Sequence, residues 1–397
     1  MPYDVLAPQH LLVRVSLLCV LVLTPHVAAG QETRIERTAS TVEGWFERPL
    51  HPVINNVGPS GGFGVGIGYD LPNLPAGWFA GAEAVVTVRK YWDTTVNAGY
   101  ARDRLRAEAF ARIREMTQLN FFGLGAQSAR ANRTNFALRD QVIGTLGSFR
   151  VAPWIGVGWR VEQLWPEIGQ GRSSTRRTVE ELFADEDAPG LAVQPGFGHY
   201  RVVLDLAYPD LDSSTAGGNY RIGWSVFNDE DLDRYGFRRF DVELQERFPA
   251  PGPNARLTMH GLVSITGTPA GNEVPFYFQQ TLGGKSSVRG FHERALGSDG
   301  TAATLRGFKN LRFRNRNLLL LQAEYGWHLW ENLYATVFAD AGKVAHRVAD
   351  LHFDGLEHSY GFSLSYMRGD VASVRMDVGL GGEEGAQLLF SLGAFKR

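Results

Sequence analysis

Apolar and polar residues alternate along many stretches of this chain, and the polar faces are unusually rich in charge. Residues 236–248 place on one face Arg239, Asp241, Glu243, Gln245 and Arg247. Residues 104–118 place on one face Arg104, Arg106, Glu108, Arg112 and Arg114. Because strand side chains point alternately to two sides, the pattern predicts strands whose faces meet different surroundings. Faces this charged do not suit a soluble core. We therefore expect an all-β fold, a transmembrane antiparallel β-barrel with apolar residues towards lipid.

The alternation also predicts where the strands lie. Fifteen segments carry it, at residues 61–71, 77–91, 104–118, 133–147, 152–165, 197–208, 219–228, 236–248, 256–266, 274–280, 318–329, 332–342, 358–368, 371–381 and 386–395. Single-chain bacterial barrels have an even number of strands, so we expect sixteen, with the missing strand before residue 281. The long connections 166–196 and 281–317 are expected to be extracellular loops. Aromatic residues near strand ends suit an interfacial girdle: Trp45, Trp78, Tyr91, Trp92, Trp154, Trp165, Trp327 and Trp330.

The overall composition narrows the function classes. The 397 residues carry a formal charge of -2, which argues against an obligate nucleic-acid binder with a strongly basic face. The mean hydropathy of -0.17 is too low for a helical membrane protein. It is compatible with a transmembrane barrel, because only every second residue of a strand faces lipid.

The N-terminus has the pattern of an export signal. Arg14 supplies positive charge, residues 17–23 form an apolar core, and residues 28–30 are small. A transmembrane anchor is the alternative, but the apolar run is well short of the ~20 residues needed to span a membrane. We expect a signal peptide at 1–30, a short periplasmic segment at 31–56 and the barrel at 57–397. The single cysteine, Cys19, lies in the signal, so the mature chain is expected to have no disulfide or thiolate chemistry.

Short motifs in the last third of the chain resemble those of one family. Val288-Arg289-Gly290-Phe291 lies within the connection 281–317. Residues 319–325 include Glu324, and residues 338–342 include Asp340 followed by a glycine. In this order, the motifs resemble the BamA/TamA-type outer-membrane protein family, the bacterial surface antigen superfamily. The resemblance covers about residues 57–397, and its mark is a Val-Arg-Gly-Phe/Tyr tetrad in the sixth extracellular loop.

Alternation places Glu324 and Asp340 on the lumen side of adjacent strands. The resemblance implies that Arg289, on a loop folded back into the lumen, pairs with both carboxylates. A guanidinium suits this role because its planar fork makes several charge-assisted hydrogen bonds. Gly290 would allow a tight turn, and Phe291 would supply an apolar anchor. The alternative is that Arg289 is an ordinary solvated loop arginine.

A second Arg-Gly-Phe copy, at residues 306–308, complicates this assignment. Arg312, Arg314 and Arg316 follow it closely, so we interpret it as the returning limb of the same loop. The two glycines at 283 and 284, shortly before Val288, favour the first copy as the tip of the loop.

Other sequence signals are weaker. Gly64, Gly66 and Gly68 do not have the spacing of a dinucleotide fingerprint, and no helical pattern follows them. The histidines show no metal-ligand spacing, and no catalytic constellation has supporting context. We therefore expect no cofactor, no bound metal and no enzymatic activity.

The resemblance implies a role in inserting or translocating proteins across the bacterial cell outer membrane. The seam between the first and last strands, here residues 61–71 and 386–395, would template an incoming strand. The alternative is a passive pore for solutes or secreted protein, with no assembly role. Residues 31–60 leave no room for a periplasmic POTRA domain, so a stand-alone barrel is expected.

The expected partners follow from the same resemblance. They are outer-membrane lipids and lipopolysaccharide, together with either a separately encoded periplasmic partner or unfolded outer-membrane protein clients. We expect a monomeric barrel and no nucleic-acid partner.

Overall fold

A computed structural model describes residues 48–55, 57–59, 61–207, 217–252, 254–284, 305–330, 332–368, 371–382 and 384–392. The expected signal peptide and the tetrad at 288–291 lie outside these residues. No helix in the described part of the chain is long and apolar enough to cross a membrane.

Antiparallel strands form one sixteen-stranded sheet in which each strand pairs with its neighbours in sequence. Its members are β1 (Leu50–Asn55), β2 (Gly64–Asp70), β3 (Trp78–Thr87), β4 (Trp92–Arg102), β5 (Leu105–Phe121), β6 (Thr134–Ala152), β7 (Ile155–Gln170), β8 (Phe197–Ala207), β9 (Gly217–Asp229), β10 (Phe237–Pro249), β11 (Arg256–Gly267), β14 (Asn317–Trp330), β15 (Leu333–Ala345), β16 (Glu357–Arg368), β17 (Val371–Gly381) and β18 (Ala386–Leu392). Between β11 and β14, β12 (Gln280–Leu282) and β13 (Phe313–Asn315) form a separate two-stranded sheet, and Arg314 of β13 also makes an isolated bridge to Gly125. The predicted count of sixteen is confirmed.

The membership of the sheet differs from the prediction at three places. The pattern missed β4, where polar residues such as Thr95 and Asn97 weaken the alternation, and Lys90 at φ 62° forms the turn that separates β4 from β3. It also missed β1. Conversely, the predicted strand 274–280 is wrong, because Phe276–Phe278 forms a 3-10 turn that is buried inside the barrel.

The start of the sheet also differs from the prediction. Because β1 begins at Leu50, the sheet takes in part of the segment 31–56 that the sequence assigned to the periplasm. The strand expected to be first, 61–71, is the second, and it pairs with β1 on one side and β3 on the other. Among the described residues, no hydrogen-bonded pairing joins β1 to β18, so these two strands are the edges of the sheet.

The faces of the strands are arranged as the alternation predicts. On β10, Phe240 and Leu244 are exposed on the outer face, while Arg239 and Asp241 are buried on the inner face. An exposed apolar outside and a charged inside are the reverse of a soluble protein and suit a barrel in lipid. The structure confirms the predicted transmembrane barrel architecture.

The upper part of the lumen is filled by the connection between β11 and β14. The described parts of this connection, residues 268–284 and 305–316, are called the lumen segment here. Phe276 of this segment meets Phe121 and Phe136 of the barrel wall edge to face, with ring centroids 5.1 and 4.9 Å apart. Such aromatic pairs add stability beyond the apolar area that they bury. The principal apolar core therefore lies inside the barrel, between the wall and the lumen segment.

Candidate functional site in the barrel lumen

One polar site in the lumen is centred on Arg306, whose side chain is fully buried. Its Nε donates to Oδ2 of Asp340 at 2.9 Å, and its backbone N–H donates to the same oxygen at 3.1 Å. Its Nη2 donates to the other oxygen of Asp340, and its Nη1 donates to Oε1 of Glu324. One guanidinium thus addresses two carboxylates, as its planar fork allows.

Strand register explains why the two carboxylates meet. Gln322 of β14 lies opposite Asp340 of β15, which leaves Glu324 two residues further along the same inner face. Phe338 of β15 lies opposite Glu324 and two residues before Asp340, and its ring centroid is 3.5 Å from the guanidinium carbon of Arg306. The ring gives the cation a flat apolar support while the carboxylates neutralise its charge. Such pairing matters because an unpaired buried charge costs several kcal/mol.

A second arginine, Arg375 of β17, extends this site across the wall. Its Nη2 donates to Oε1 of Glu324 at 2.9 Å, the oxygen that also receives Arg306. Its Nε donates to Oδ1 of Asp377 at 2.8 Å. On β16, Ser359 donates to Asp340 at 2.9 Å. We call Arg306, Glu324, Asp340, Ser359, Arg375 and Asp377 the lumen network; it joins four consecutive strands to the lumen segment.

Sequence reasoning did not assign Arg375 a role, although a signal for it was present. Arg375 and Asp377 occupy alternate positions on the polar face of a recognised strand, opposite Met376 and Val378. That pattern shows that both side chains face the lumen. It does not show which carboxylate Arg375 reaches, because this depends on the tilt and stagger of the neighbouring strands.

Gly307 brings the lumen segment into direct contact with β17. A Cβ atom added at this residue would overlap the backbone of Leu380 and Gly381. The glycine is needed here for close approach of two backbones. The following residue, Phe308, packs on Phe313 with ring centroids 5.2 Å apart, within a small apolar cluster on β14 and β15.

The returning limb of the lumen segment is fixed by a second polar contact. Glu384, in the turn between β17 and β18, accepts from the backbone N–H of Lys309 at 2.9 Å and from Nε of Arg312 at 2.7 Å. Arg312 also donates to Oγ and to the carbonyl oxygen of Ser128, at 2.9 and 2.8 Å. This arginine therefore links the last turn of the barrel to the connection between β5 and β6.

Glu324 and Asp340, the carboxylates singled out from sequence, thus lie together around Arg306 of the second Arg-Gly-Phe copy. Val288, Arg289, Gly290 and Phe291 lie outside the described residues, so the pairing expected for Arg289 stays a prediction. The double glycine that favoured the first copy has a role beside the second. Gly283 and Gly284 have φ near 107° and 106°. The carbonyl oxygen of Gly283 accepts a hydrogen bond from the N–H of Leu311, and the N–H of Gly284 donates to the carbonyl oxygen of Leu305.

Elsewhere the described inner wall carries further paired charges. Asp140 receives Arg114 through two donors at 3.0 and 2.7 Å, and Asp241 receives Arg201 at 2.8 Å. His260 lies between Glu243 and Gln322, 2.9 Å from each. Within the described residues, no group of three or more His, Cys, Asp or Glu is placed to hold a metal ion.

These features define a class: an outer-membrane-type β-barrel with a connection folded into its lumen and fixed there by a buried arginine. Residues 234–395, which include β10 to β18, match the model of the Omp85 superfamily domain. A comparison with curated proteins finds no match. These residues, which are less than half of the chain, are thus similar to the Omp85 superfamily domain.

Two solved structures share the fold. BamA from Haemophilus ducreyi lacking POTRA domains 1-3 is 13% identical, with a TM-score of 0.55, and the match covers 98% of this chain and 82% of that chain. CdiB from Escherichia coli is 13% identical, with a TM-score of 0.54, and the match covers 87% of this chain and 61% of that chain. The match thus covers less than two thirds of the CdiB chain. The predicted resemblance to BamA/TamA-type barrels is confirmed.

Proposed function

We propose that this protein inserts or translocates other proteins at the bacterial outer membrane, and that it does so through the seam between β1 and β18. The observation that carries the proposal is the lumen network, which holds a long connection inside the barrel against strands close to the seam. The Omp85 superfamily match and the BamA-like fold support a role of this class.

The two edges of the sheet favour the seam as the working region. β1 and β18 are short, at six and seven residues, whereas β5 to β7 have at least sixteen. A short edge strand offers unpaired N–H and C=O groups to an incoming strand and loses few hydrogen bonds on opening. The outward side chains of β18, including Leu388 and Phe390, are exposed and apolar, as lipid contact requires.

A reducible cross-link across the seam tests this mechanism. Cys19 is first replaced by Ser, and then Ile54 of β1 and Leu388 of β18 are changed to Cys and joined by a bifunctional thiol reagent, because no hydrogen-bonded register joins these two strands among the described residues. The matched control changes Val65 and Val86 to Cys, because these residues already face each other on β2 and β3. We expect cross-linking of the seam pair to abolish insertion of an unfolded barrel client into liposomes, and reduction of the cross-link to restore it. The control pair should work in both states. Normal insertion by the cross-linked seam pair would contradict the mechanism.

A passive pore for solutes or secreted protein is the second candidate. The packing of the lumen segment against the wall opposes it, because Phe276, Tyr277 and Phe278 are fully buried inside the barrel. Planar-bilayer conductance of the native protein and of Arg306→Ala separates the two functions. The insertase proposal expects little conductance from the native protein and more from the variant. Stable, solute-selective conductance from the native protein would favour the pore.

The proposed partners are outer-membrane lipids, lipopolysaccharide, and unfolded outer-membrane clients or a separately encoded periplasmic protein. Depletion followed by an outer-membrane proteome would identify lost clients directly. That the protein is a monomer without a nucleic-acid partner, and not an enzyme, stays a prediction. Hydrolytic activity that follows the purified barrel and responds to inhibitors would contradict the last of these.

A further inference from the structure

Two arginines at the loop end of the barrel form a polar site that the lumen network does not use. Nη1 of Arg176 donates to Oδ1 of Asn120 at 2.7 Å, and Nε of Arg133 donates to the same oxygen at 3.3 Å. Both guanidinium groups therefore converge on one neutral acceptor. Arg133 and Arg176 are called the rim arginine pair.

Buried amides hold the rim arginine pair in position. Asn120 is 3% exposed, and its amide N–H donates to the carbonyl oxygen of Asn310 at 3.1 Å, which turns its oxygen towards the arginines. Asn135, which is fully buried, donates to the carbonyl oxygens of Arg176 and Arg177 at 3.1 and 2.8 Å. The site is thus built on buried, hydrogen-bonded side chains.

The charge of the rim arginine pair is not neutralised within the described part of the chain. No carboxylate there lies within salt-bridge distance of Arg133 or Arg176. Burial and the neighbouring charge of Arg176 lower the pKa of Arg133 to about 10, while Glu384 opposes this shift. Burial and the charge of Arg89 lower the pKa of Arg176. At neutral pH both groups are still cationic, so an anion would relieve their mutual repulsion.

The turn between β3 and β4, whose Arg89 is close enough to act on the charge of Arg176, lies at the outer-membrane interface. The backbone carbonyl of Arg89, in the turn between β3 and β4, accepts from Thr117 at 3.0 Å and so ties that turn to the top of β5. Trp92 follows this turn on the outward face, and its Nε1 donates to Glu115 at 2.9 Å. Outward tryptophans of a barrel mark the level of the lipid headgroups. A ligand at the rim arginine pair would therefore lie at or just above that level.

We propose that the rim arginine pair binds a phosphate group of an outer-leaflet glycolipid, with Arg89 adding to its positive field. Guanidinium groups bind phosphate oxygens through paired, charge-assisted hydrogen bonds, which Lys cannot reproduce. The inference rests on the proposed outer-membrane location. It does not depend on insertion or translocation, because binding is measured on the purified, folded barrel.

The test measures binding of lipid A to the protein in nanodiscs, with dephosphorylated lipid A and soluble pyrophosphate as further arms. We expect Arg133→Gln and Arg176→Gln each to weaken lipid A binding by about tenfold, the worth of one charge-assisted hydrogen bond. Removal of the phosphates should weaken it at least as much. The matched control is Arg347→Gln, which removes an exposed loop arginine already paired with Asp350 and should change nothing.

Four results would overturn the proposal. Equal binding of dephosphorylated lipid A would show that phosphate is not recognised, and equal weakening by Arg347→Gln would show that only overall charge matters. Binding of pyrophosphate without binding of lipid A would assign the site to a soluble anion. Heat-dependent gel mobility shows whether each variant is a folded barrel. A second test uses Asn120→Ala, which keeps both charges but removes the oxygen that both arginines share. We expect weaker lipid A binding. Unchanged binding would show that Asn120 does not position the rim arginine pair for the phosphate.

Discussion

Arg306 and Arg375 donate to the same oxygen atom, Oε1 of Glu324, although one lies on the lumen segment and the other on β17. The carboxylate thus couples a loop arginine to a wall arginine. Because the carboxylates of Glu324, Asp340 and Asp377 are buried, neither cation can be removed without leaving charge that is poorly compensated.

The first prediction concerns Arg306 itself. Arg306→Gln removes the cation that faces both Glu324 and Asp340, and truncating one side of a buried ion pair costs about 3–5 kcal/mol. We expect a lower urea midpoint for the folded barrel and cleavage by trypsin after Lys309 or Arg312 in the lumen segment. Arg347→Gln is the control, and it should behave like the native protein. A variant of Arg306 that resists trypsin as well as the native protein would contradict the role of this residue.

The second prediction concerns the coupling of the two arginines. Arg375→Gln should also destabilise the barrel, because Asp377 loses its cation, while Glu324 keeps its bond to Arg306. In a double-mutant cycle with Arg306→Gln, residues that share one partner typically couple by about 0.5–3 kcal/mol. Chemical denaturation of the native protein, the two single variants and the double variant measures this coupling energy. Strict additivity of the two changes would show that the shared oxygen has no energetic consequence.

The third prediction separates the two Arg-Gly-Phe copies. The oxygens of Asp340 already receive Arg306, Gln322 and Ser359. If that set is complete, Arg289→Gln changes the free energy of unfolding by less than about 0.5 kcal/mol, as is usual away from buried networks. Arg306→Gln measured in parallel is the reference. A large effect at Arg289 with a small one at Arg306 would restore the pairing that the sequence first indicated.

The fourth prediction concerns Gly307. A methyl group at this position would overlap the backbone of β17 near Leu380, so Gly307→Ala must displace the lumen segment. Overpacking of this kind costs about 1–3 kcal/mol. Gly267→Ala, at the end of β11, is the matched control, because a Cβ atom there meets nothing within 4 Å. Equal stability of the two variants would show that the close approach at β17 is not required.

Much of this fold could be predicted because apolar outward residues and polar inward residues alternate along each strand of a barrel wall. Arg239 and Asp241 alternate with Phe240 as clearly in sequence as in space. The alternation does not predict structure for residues that are buried inside the lumen and do not belong to the wall. Phe276–Phe278 is continuously apolar, so periodicity could not distinguish a buried turn inside the lumen from a strand.

The candidate site was predictable only in part. The alternation of side chains along a strand placed Glu324 and Asp340 on the lumen face, because this alternation depends on strand geometry alone. The choice of cation depends on how a long connection folds back, and two Arg-Gly-Phe copies offer similar chemistry. Contacts such as that between Arg312 and Ser128, 184 residues apart in sequence, cannot be read from local patterns.

Every member of the lumen network lies between residues 306 and 377. The network can therefore assemble from the C-terminal third of the chain alone, with short loops to close. The link between Arg312 and Ser128 forms only when the connection between β5 and β6 is also in place. This arrangement permits an order of events in biogenesis in which the C-terminal strands bind their own loop first and the N-terminal strands then close around an occupied lumen.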